Sequence, residues 1–195
     1  MKKLLLATNN AHKLEEIHQI TKGRFEILSL KDVDFVGEIP ETSPTIEGNA
    51  IQKAQFIHDL FNMDCFADDT GLEVEALNGE PGVYSARYAG ESCSFQANIA
   101  KLLEALDRKI NRKARFRTVI ALIVDNQLFT FEGIVNGEIS ARQSGNAGFG
   151  YDPIFIPVGY KVSFAEMDAA LKNKISHRGL ATAKLIEFLE GLPLK

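Results

Sequence analysis

Phe116-Arg117-Thr118-Val119-Ile120-Ala121-Leu122-Ile123-Val124 and Leu128-Phe129-Thr130-Phe131-Glu132-Gly133-Ile134-Val135 are two β-rich runs joined by Asp125-Asn126-Gln127. Runs of that composition across a short polar link predict a hairpin. Outward from it, strands alternate with helices. Leu4 to Ala7 is a continuous apolar run, as in a strand buried on both faces. A helix is predicted from about Ala11, with Leu14, Ile17 and Ile20 on one face, then a strand over Phe25 to Leu28. Gly37 to Gly48, with Pro40 and Pro44, reads as loop. A helix follows from about Asn49, with Ala50, Ala54, Ile57 and Phe61 at helical spacing, and Asp64 to Asp68 returns as a strand. Glu73 to Gly90 is turn-rich. Ser94 caps a helix striped by Phe95, Ile99, Leu102, Leu103 and Leu106. Ile154-Phe155-Ile156 is a further strand, Ser163-Phe164-Ala165-Glu166 is a capping-box pattern opening a short helix, and a last helix runs from about Ser176 to Glu190. One strong hairpin within such alternation predicts an α/β fold, a mixed β-sheet flanked by helices.

The chain has 195 residues, 45% hydrophobic and 25% charged, which suits one soluble globular domain over residues 1–195. The formal net charge of −4 gives no broad basic surface for nucleic acid. Cys65 and Cys93 form no metal spacing and read as thiols in a reducing compartment. The apolar start Leu4-Leu5-Leu6-Ala7 ends at Thr8-Asn9-Asn10, short of the roughly 7–15 residues of a signal core. No run reaches the roughly 18 apolar residues of a membrane helix. The expectation is a cytoplasmic protein without a membrane or nucleic-acid partner.

Asp68-Asp69, followed by Thr70-Gly71, places two acids at the end of a predicted strand. Adjacent carboxylates repel and call for a cation, such as a hard divalent metal that shares its shell with phosphates. A solvated turn would use the same residues. Thr8-Asn9-Asn10-Ala11-His12-Lys13 links a strand to a helix whose N–H groups can attract anions. Lys13 there opposes the helix dipole, so it needs a reason. A plain Asn cap with an exposed Lys is the other reading. Glu47-Gly48-Asn49-Ala50-Ile51-Gln52-Lys53 puts an acid and a base near one helix start, for a metal and a phosphate or simply for solvent. Gly148-Phe149-Gly150-Tyr151-Asp152-Pro153 lets backbone approach a ligand and leaves Phe149 able to stack on a flat ring, or marks a bulged strand end. Lys172 and then Ser176-His177-Arg178-Gly179 suit anion or carbonyl recognition at a helix start, or a charged surface.

In order, these stretches resemble the inosine triphosphate pyrophosphatase family, which hydrolyses non-standard purine nucleoside triphosphates. The matching residues are Ala7-Thr8-Asn9-Asn10-x-x-Lys13, Glu47-x-Asn49-Ala50-x-x-Lys53-Ala54, Ala67-Asp68-Asp69-Thr70-Gly71-Leu72, Gly82-Val83-Tyr84-Ser85-Ala86-Arg87-Tyr88-Ala89-Gly90, Gly148 to Pro153, and Ser176 to Gly179. The resemblance spans essentially the whole chain. It implies an elongated sheet in two lobes with a central cleft, a Mg²⁺ requirement, a homodimer, and cleavage of ITP, dITP and XTP to monophosphate and pyrophosphate. By the same resemblance, Asp69 holds Mg²⁺ and activates water with Asp68 in support. Thr8, Asn9, Asn10, Ala11, His12 and Lys13 bind the triphosphate, Lys53 neutralises phosphate charge, and Thr70 contacts substrate. Phe149, Gly150, Tyr151 and Asp152 hold the nucleoside, and Lys172, His177 and Arg178 complete the base and phosphate contacts. Many members carry Glu just before the Asn of the second stretch. Here that place is Gly48, and Glu47 is the acid expected to take the metal role.

The resemblance also implies base selection by a donor. Arg178 can only donate hydrogen bonds, which suits a 6-oxo purine and leaves a mismatch with the 6-amino group of adenine. Septum-formation nucleotide pyrophosphatases, which share this cleavage with other base preferences, are one alternative. A non-catalytic nucleotide-binding module is another. The Asp-x-Asp of haloacid dehalogenase phosphatases is absent, because the two acids are adjacent.

Overall fold

Leu4, Leu5 and Leu6 are fully buried, as an uninterrupted apolar strand requires. The structure is a computed structural model that describes residues 3–21, 23–92 and 94–192; Cys93 lies outside them. Its strands are β1 (Lys3–Leu6), β2 (Glu26–Leu28), β3 (Cys65–Val74), β4 (Pro81–Gly82), β5 (Lys113–Val124), β6 (Gln127–Ile139) and β7 (Phe155–Pro157). Its α-helices are α1 (Ala11–Thr21), α2 (Ile46–Phe61), α3 (Phe95–Ala105), α4 (Ala169–Ile175) and α5 (His177–Glu190). The hydrogen-bonded strand order is β2-β1-β3-β5-β6-β7, with β4 on β3. β1 is parallel to β2 and β3, while β4 and β7 are antiparallel to their neighbours, so the sheet is mixed as expected. Among the described residues, no helix is long and apolar enough to cross a membrane.

The chain forms two compact units. The first comprises the chain up to Asp69, Thr118–Gly133, and the chain from Arg178 onward. Its core joins Leu4, Leu6, Phe66, Ile120 and Leu122 on strands to Ile17 on α1 and Leu185 and Leu189 on α5. The second comprises Thr70–Arg117 and Ile134–His177. There Leu72, Ile99, Leu102, Phe116, Phe155 and Phe164 make the core.

The predicted hairpin forms between β5 and β6. Asp125 and Asn126 take φ of 51° and 59°, the two left-handed residues of a tight hairpin turn. Two boundaries and one helix differ from expectation. α2 begins at Ile46 rather than near Asn49, because the Thr45 hydroxyl accepts from the Gly48 N–H at 3.0 Å. Glu47 therefore sits inside the first helical turn, exposed. β3 continues through Asp68-Asp69-Thr70-Gly71 to Val74, so the acid pair lies within a strand and not at its end. Pairing of Leu72 with Gly82, and a 2.8 Å bond from the Leu72 N–H to the Ser85 hydroxyl, carry the strand past residues with poor strand propensity. Finally, α4 is a short helix the periodicity did not mark; Asp168 caps it by accepting from the Leu171 N–H at 2.9 Å.

Candidate active site

Successive side chains of a strand point to opposite faces. Asp68 and Asp69 therefore take different hydrogen-bond partners, although they are adjacent in sequence, while Lys13 and Lys53 act electrostatically on both. The Oδ2 of Asp68 accepts from Lys13 Nζ at 3.2 Å and from Arg178 Nε at 3.1 Å. Arg178 also donates through Nη1 to Glu16 on α1. The Oδ1 of Asp69 accepts from Lys53 Nζ at 3.1 Å, and that ammonium also donates to Glu41. The Oδ2 of Asp69 lies 3.4 Å from the Asn49 amide nitrogen.

The surroundings drive the two acids apart. Burial alone would raise Asp68, but Lys13, Arg178 and Lys53 outweigh it and hold the carboxyl well below the usual range. Burial also raises Asp69, and there Lys53 and Lys13 do not fully offset it, while Glu41 pushes the same way. The surroundings thus favour the charged form at Asp68 and disfavour it at Asp69. Burial lowers Lys13 despite the pull of Asp68. It would lower Lys53 too, but Asp69 and Glu41 reverse the direction.

Around Lys13, the Asn10 side-chain oxygen accepts from the N–H groups of His12 at 3.0 Å and Lys13 at 3.3 Å. Thr8 Oγ1 accepts from the Asn10 N–H at 3.2 Å, and Asn9 donates to the Gly37 carbonyl at 3.0 Å. Ala11 and His12 are exposed. Lys13, placed against the helix dipole, finds its reason in Asp68.

In the second unit, Asp152 Oδ2 accepts from the Phe149 N–H at 2.8 Å and from Lys172 Nζ at 2.7 Å. The Lys172 ammonium lies 5.3 Å from the centre of the Phe149 ring. Phe149 also approaches Phe95, with ring centres 6.0 Å apart, at the edge of a cavity of about 460 Å³ that Gln143 and Asn146 help line. That volume is within the range of small-molecule pockets. Tyr151 is almost fully buried, and its hydroxyl donates to the Ser85 carbonyl at 2.8 Å. His177 stacks on Phe116 with ring centres 4.4 Å apart. Thr70 is half-buried in β3.

Gly148 and Gly150 both have left-handed backbones, with φ of 73° and 62°. A Cβ at Gly148 would lie 2.1 Å from Asp152 Oδ2, whereas one at Gly150 meets nothing within 4 Å. Gly150→Ala is expected to cost about 1–2 kcal/mol from backbone strain alone. Gly148→Ala should cost more, because it also pushes on the buried Asp152–Lys172 pair. Urea unfolding of both variants checks the order.

The sequence did not point to Glu16 or Glu41, and gave Asn49 a place in a motif without a task. Glu16 had a signal: it lies three residues after Lys13, on the same face of α1. Glu41 had none, since a loop residue meets Lys53 only through the fold. Among the described residues, no group of three His, Cys, Asp or Glu side chains could hold a metal. Asp69 and Glu41, which share the Lys53 ammonium, do fit a cation such as Mg²⁺, which takes one or two carboxylates and completes its shell with phosphate oxygens and water.

Known proteins match this chain over nearly its whole length. The sequence profile described as the Ham1 family matches residues 4–188. A protein of Porphyromonas gingivalis named dITP/XTP pyrophosphatase is 55% identical over 190 residues, covering 97% of this chain and 98% of that one. One of the same name from Bacillus subtilis is 45% identical, covering 98% of each. Among solved structures, the Staphylococcus aureus Ham1 protein superposes with a TM-score of 0.87 at 41% identity, covering 97% of this chain and 99% of that one. A HAM1 protein from Coxiella burnetii gives 0.90 at 36% identity, covering 98% and 100%.

Proposed function

The chain belongs to the Ham1 family, and from that premise we propose that it hydrolyses dITP, ITP and XTP to the monophosphate and pyrophosphate, removing non-standard purines from the nucleotide pool. The observation that carries the chemistry is the placement of two buried carboxylates against cationic side chains, Asp68 on Lys13 and Arg178 and Asp69 on Lys53 with Asn49 beside it. The reaction transfers a nucleotidyl group to water. Its barrier falls mostly by positioning and by neutralising phosphate charge.

Asp69 takes a proton from the attacking water. Lys53 and Lys13 face developing negative charge on the phosphates, helped by the segment Thr8 to His12. Phe149 stacks on the base, Lys172 and His177 complete the nucleoside contacts, and Thr70 touches substrate. Lys172 and Arg178 are donors only and match a 6-oxo purine. Of these, Lys172 has its ammonium beside the stacking ring, whereas Arg178 has Nε and Nη1 on Asp68 and Glu16. A bound Mg²⁺ would supply charge neutralisation for the phosphates. Asp69 would hold it with Glu41, since these two carboxylates already share one cation.

Glu41 and Glu47 compete for the second metal place, and Mg²⁺ titration of activity separates them. Glu41→Gln is expected to raise the Mg²⁺ concentration for half-maximal rate by about 10–100-fold. A larger rise for Glu47→Gln reverses the assignment.

The deciding experiment is pyrophosphate release from dITP, ITP, XTP, GTP and ATP, with Mg²⁺ and with EDTA. Mg²⁺-dependent release strongly favouring the first three is the expected result. Turnover of pyrimidine or methylated nucleotides instead would move the chain to the septum-formation type, and binding without turnover would make it a nucleotide-binding module. A homodimeric, cytoplasmic enzyme completes the proposal, supported by the family resemblance; sedimentation tests the dimer.

A further inference from the structure

Asn49 is a buried amide inside a helix that already has its cap. Thr45 caps α2, so Asn49, at 1% exposure, is not needed there. A buried amide costs stability unless both its ends are bonded. Its Oδ1 accepts from the Ser43 N–H at 2.8 Å, which settles the orientation of the group: the NH₂ end must face Asp69 Oδ2, 3.4 Å away. Lys53, one helical turn later on the same face, takes the other oxygen at 3.1 Å. The two oxygens of Asp69 are thus addressed separately, one by an ammonium and one by an amide.

Gly48 makes this possible. A Cβ at that position would lie 1.9 Å from Ser43 Oγ and 2.8 Å from Thr45 Oγ1. The Ser43 and Thr45 side chains fold over position 48, so a side chain there would push on the segment whose Ser43 N–H meets the Asn49 amide. This is a physical reason for glycine at a place where the resemblance led to an acid.

We propose that Asn49 is a positioning residue for Asp69, held in the required orientation by the Ser43 backbone across Gly48. The inference rests on the reading of Asp69 as the reactive carboxylate. Without the amide, both oxygens of Asp69 can turn toward Lys53, and the lone pair that should meet water loses its aim. The 3.4 Å separation is long, as catalytic hydrogen bonds often are before substrate binds.

The test uses Asn49→Asp, Asn49→Ala and Gly48→Ala in the full chain. Steady-state dITP hydrolysis is combined with Mn²⁺ binding to the substrate-free protein, followed by electron paramagnetic resonance. Asn49→Asp keeps an oxygen for the Ser43 N–H but cannot donate to Asp69, so it separates tethering from positioning. The expected result is a fall in kcat of about 10–100-fold for both Asn49 variants, with KM changed less than about threefold. Gly48→Ala should lower kcat in the same way although Asn49 and Asp69 are intact. Asn49→Ala should also bind Mn²⁺ several-fold more weakly. Parental kcat in Asn49→Asp, or losses confined to KM and the unfolding midpoint, would overturn the proposal. If the parent protein itself releases no pyrophosphate, the functional reading fails, and unchanged Mn²⁺ affinity in Asn49→Ala then rejects the positioning role separately.

Discussion

Asp69→Asn is expected to lower kcat for dITP by about 10²–10⁴-fold, the usual contribution of a positioned general base. The substitution keeps the shape of the side chain and removes both its charge and its capacity to take a proton. Lys13, Phe149 and Lys172 are untouched, so KM should move little, which is the signature of an interaction made mainly in the transition state. Burial already disfavours the charged form of Asp69, so the neutral amide should not unfold the chain. The folded midpoint must therefore be measured beside the rate. A kcat within tenfold of the parent would remove Asp69 from the chemistry and leave Mg²⁺ and the lysines to do all of it.

The same residue shows what the sequence could and could not reveal. The stretch around Asp68-Asp69 stood out, and the hairpin, the helical stripes of α1 and α3, and the Ser94 cap were readable from local pattern. What was not readable was the pleat. Two neighbouring acids look alike in a sequence, yet the alternation of a strand gives them different hydrogen-bond partners, and β4 and Ser85 pair with the far half of the β3 strand that carries them. The partners were equally hidden: Arg178 reaches Asp68 from 110 residues away, and Glu41 meets Lys53 from a loop with no periodicity. Gly48 looked like a missing acid, and only the packing of Ser43 over it explains the glycine.

Arg178→Ala should be the most destabilising substitution in the first unit, at about 3–5 kcal/mol, the cost of removing one partner from a buried ion pair. Arg178 is 2% exposed and joins Asp68 to Glu16, while Asp68 is 1% exposed. Alanine leaves Asp68 in the interior with Lys13 as its nearest cation. Arg178→Lys should recover only part of the loss, because an ammonium on a flexible stem lacks the rigid planar fork with which the guanidinium meets Asp68 through Nε and Glu16 through Nη1. Urea unfolding at neutral pH gives the magnitude; a loss below about 1 kcal/mol would mean that the pair is screened. The pH dependence provides a second sign. Asp68 has a folded pKa below its unfolded value, so its contribution is present above the ordinary carboxylate range, near 3.9, and is lost as pH falls through the folded value. The parent should therefore lose stability on acidification more steeply than Arg178→Ala, in which much of that contribution is already gone. Base selectivity remains measurable in the same variant. The ratio of kcat/KM for ITP and ATP cancels the folded fraction, so an unchanged ratio would place recognition of the 6-oxo group on Lys172 and leave Arg178 as the brace of Asp68.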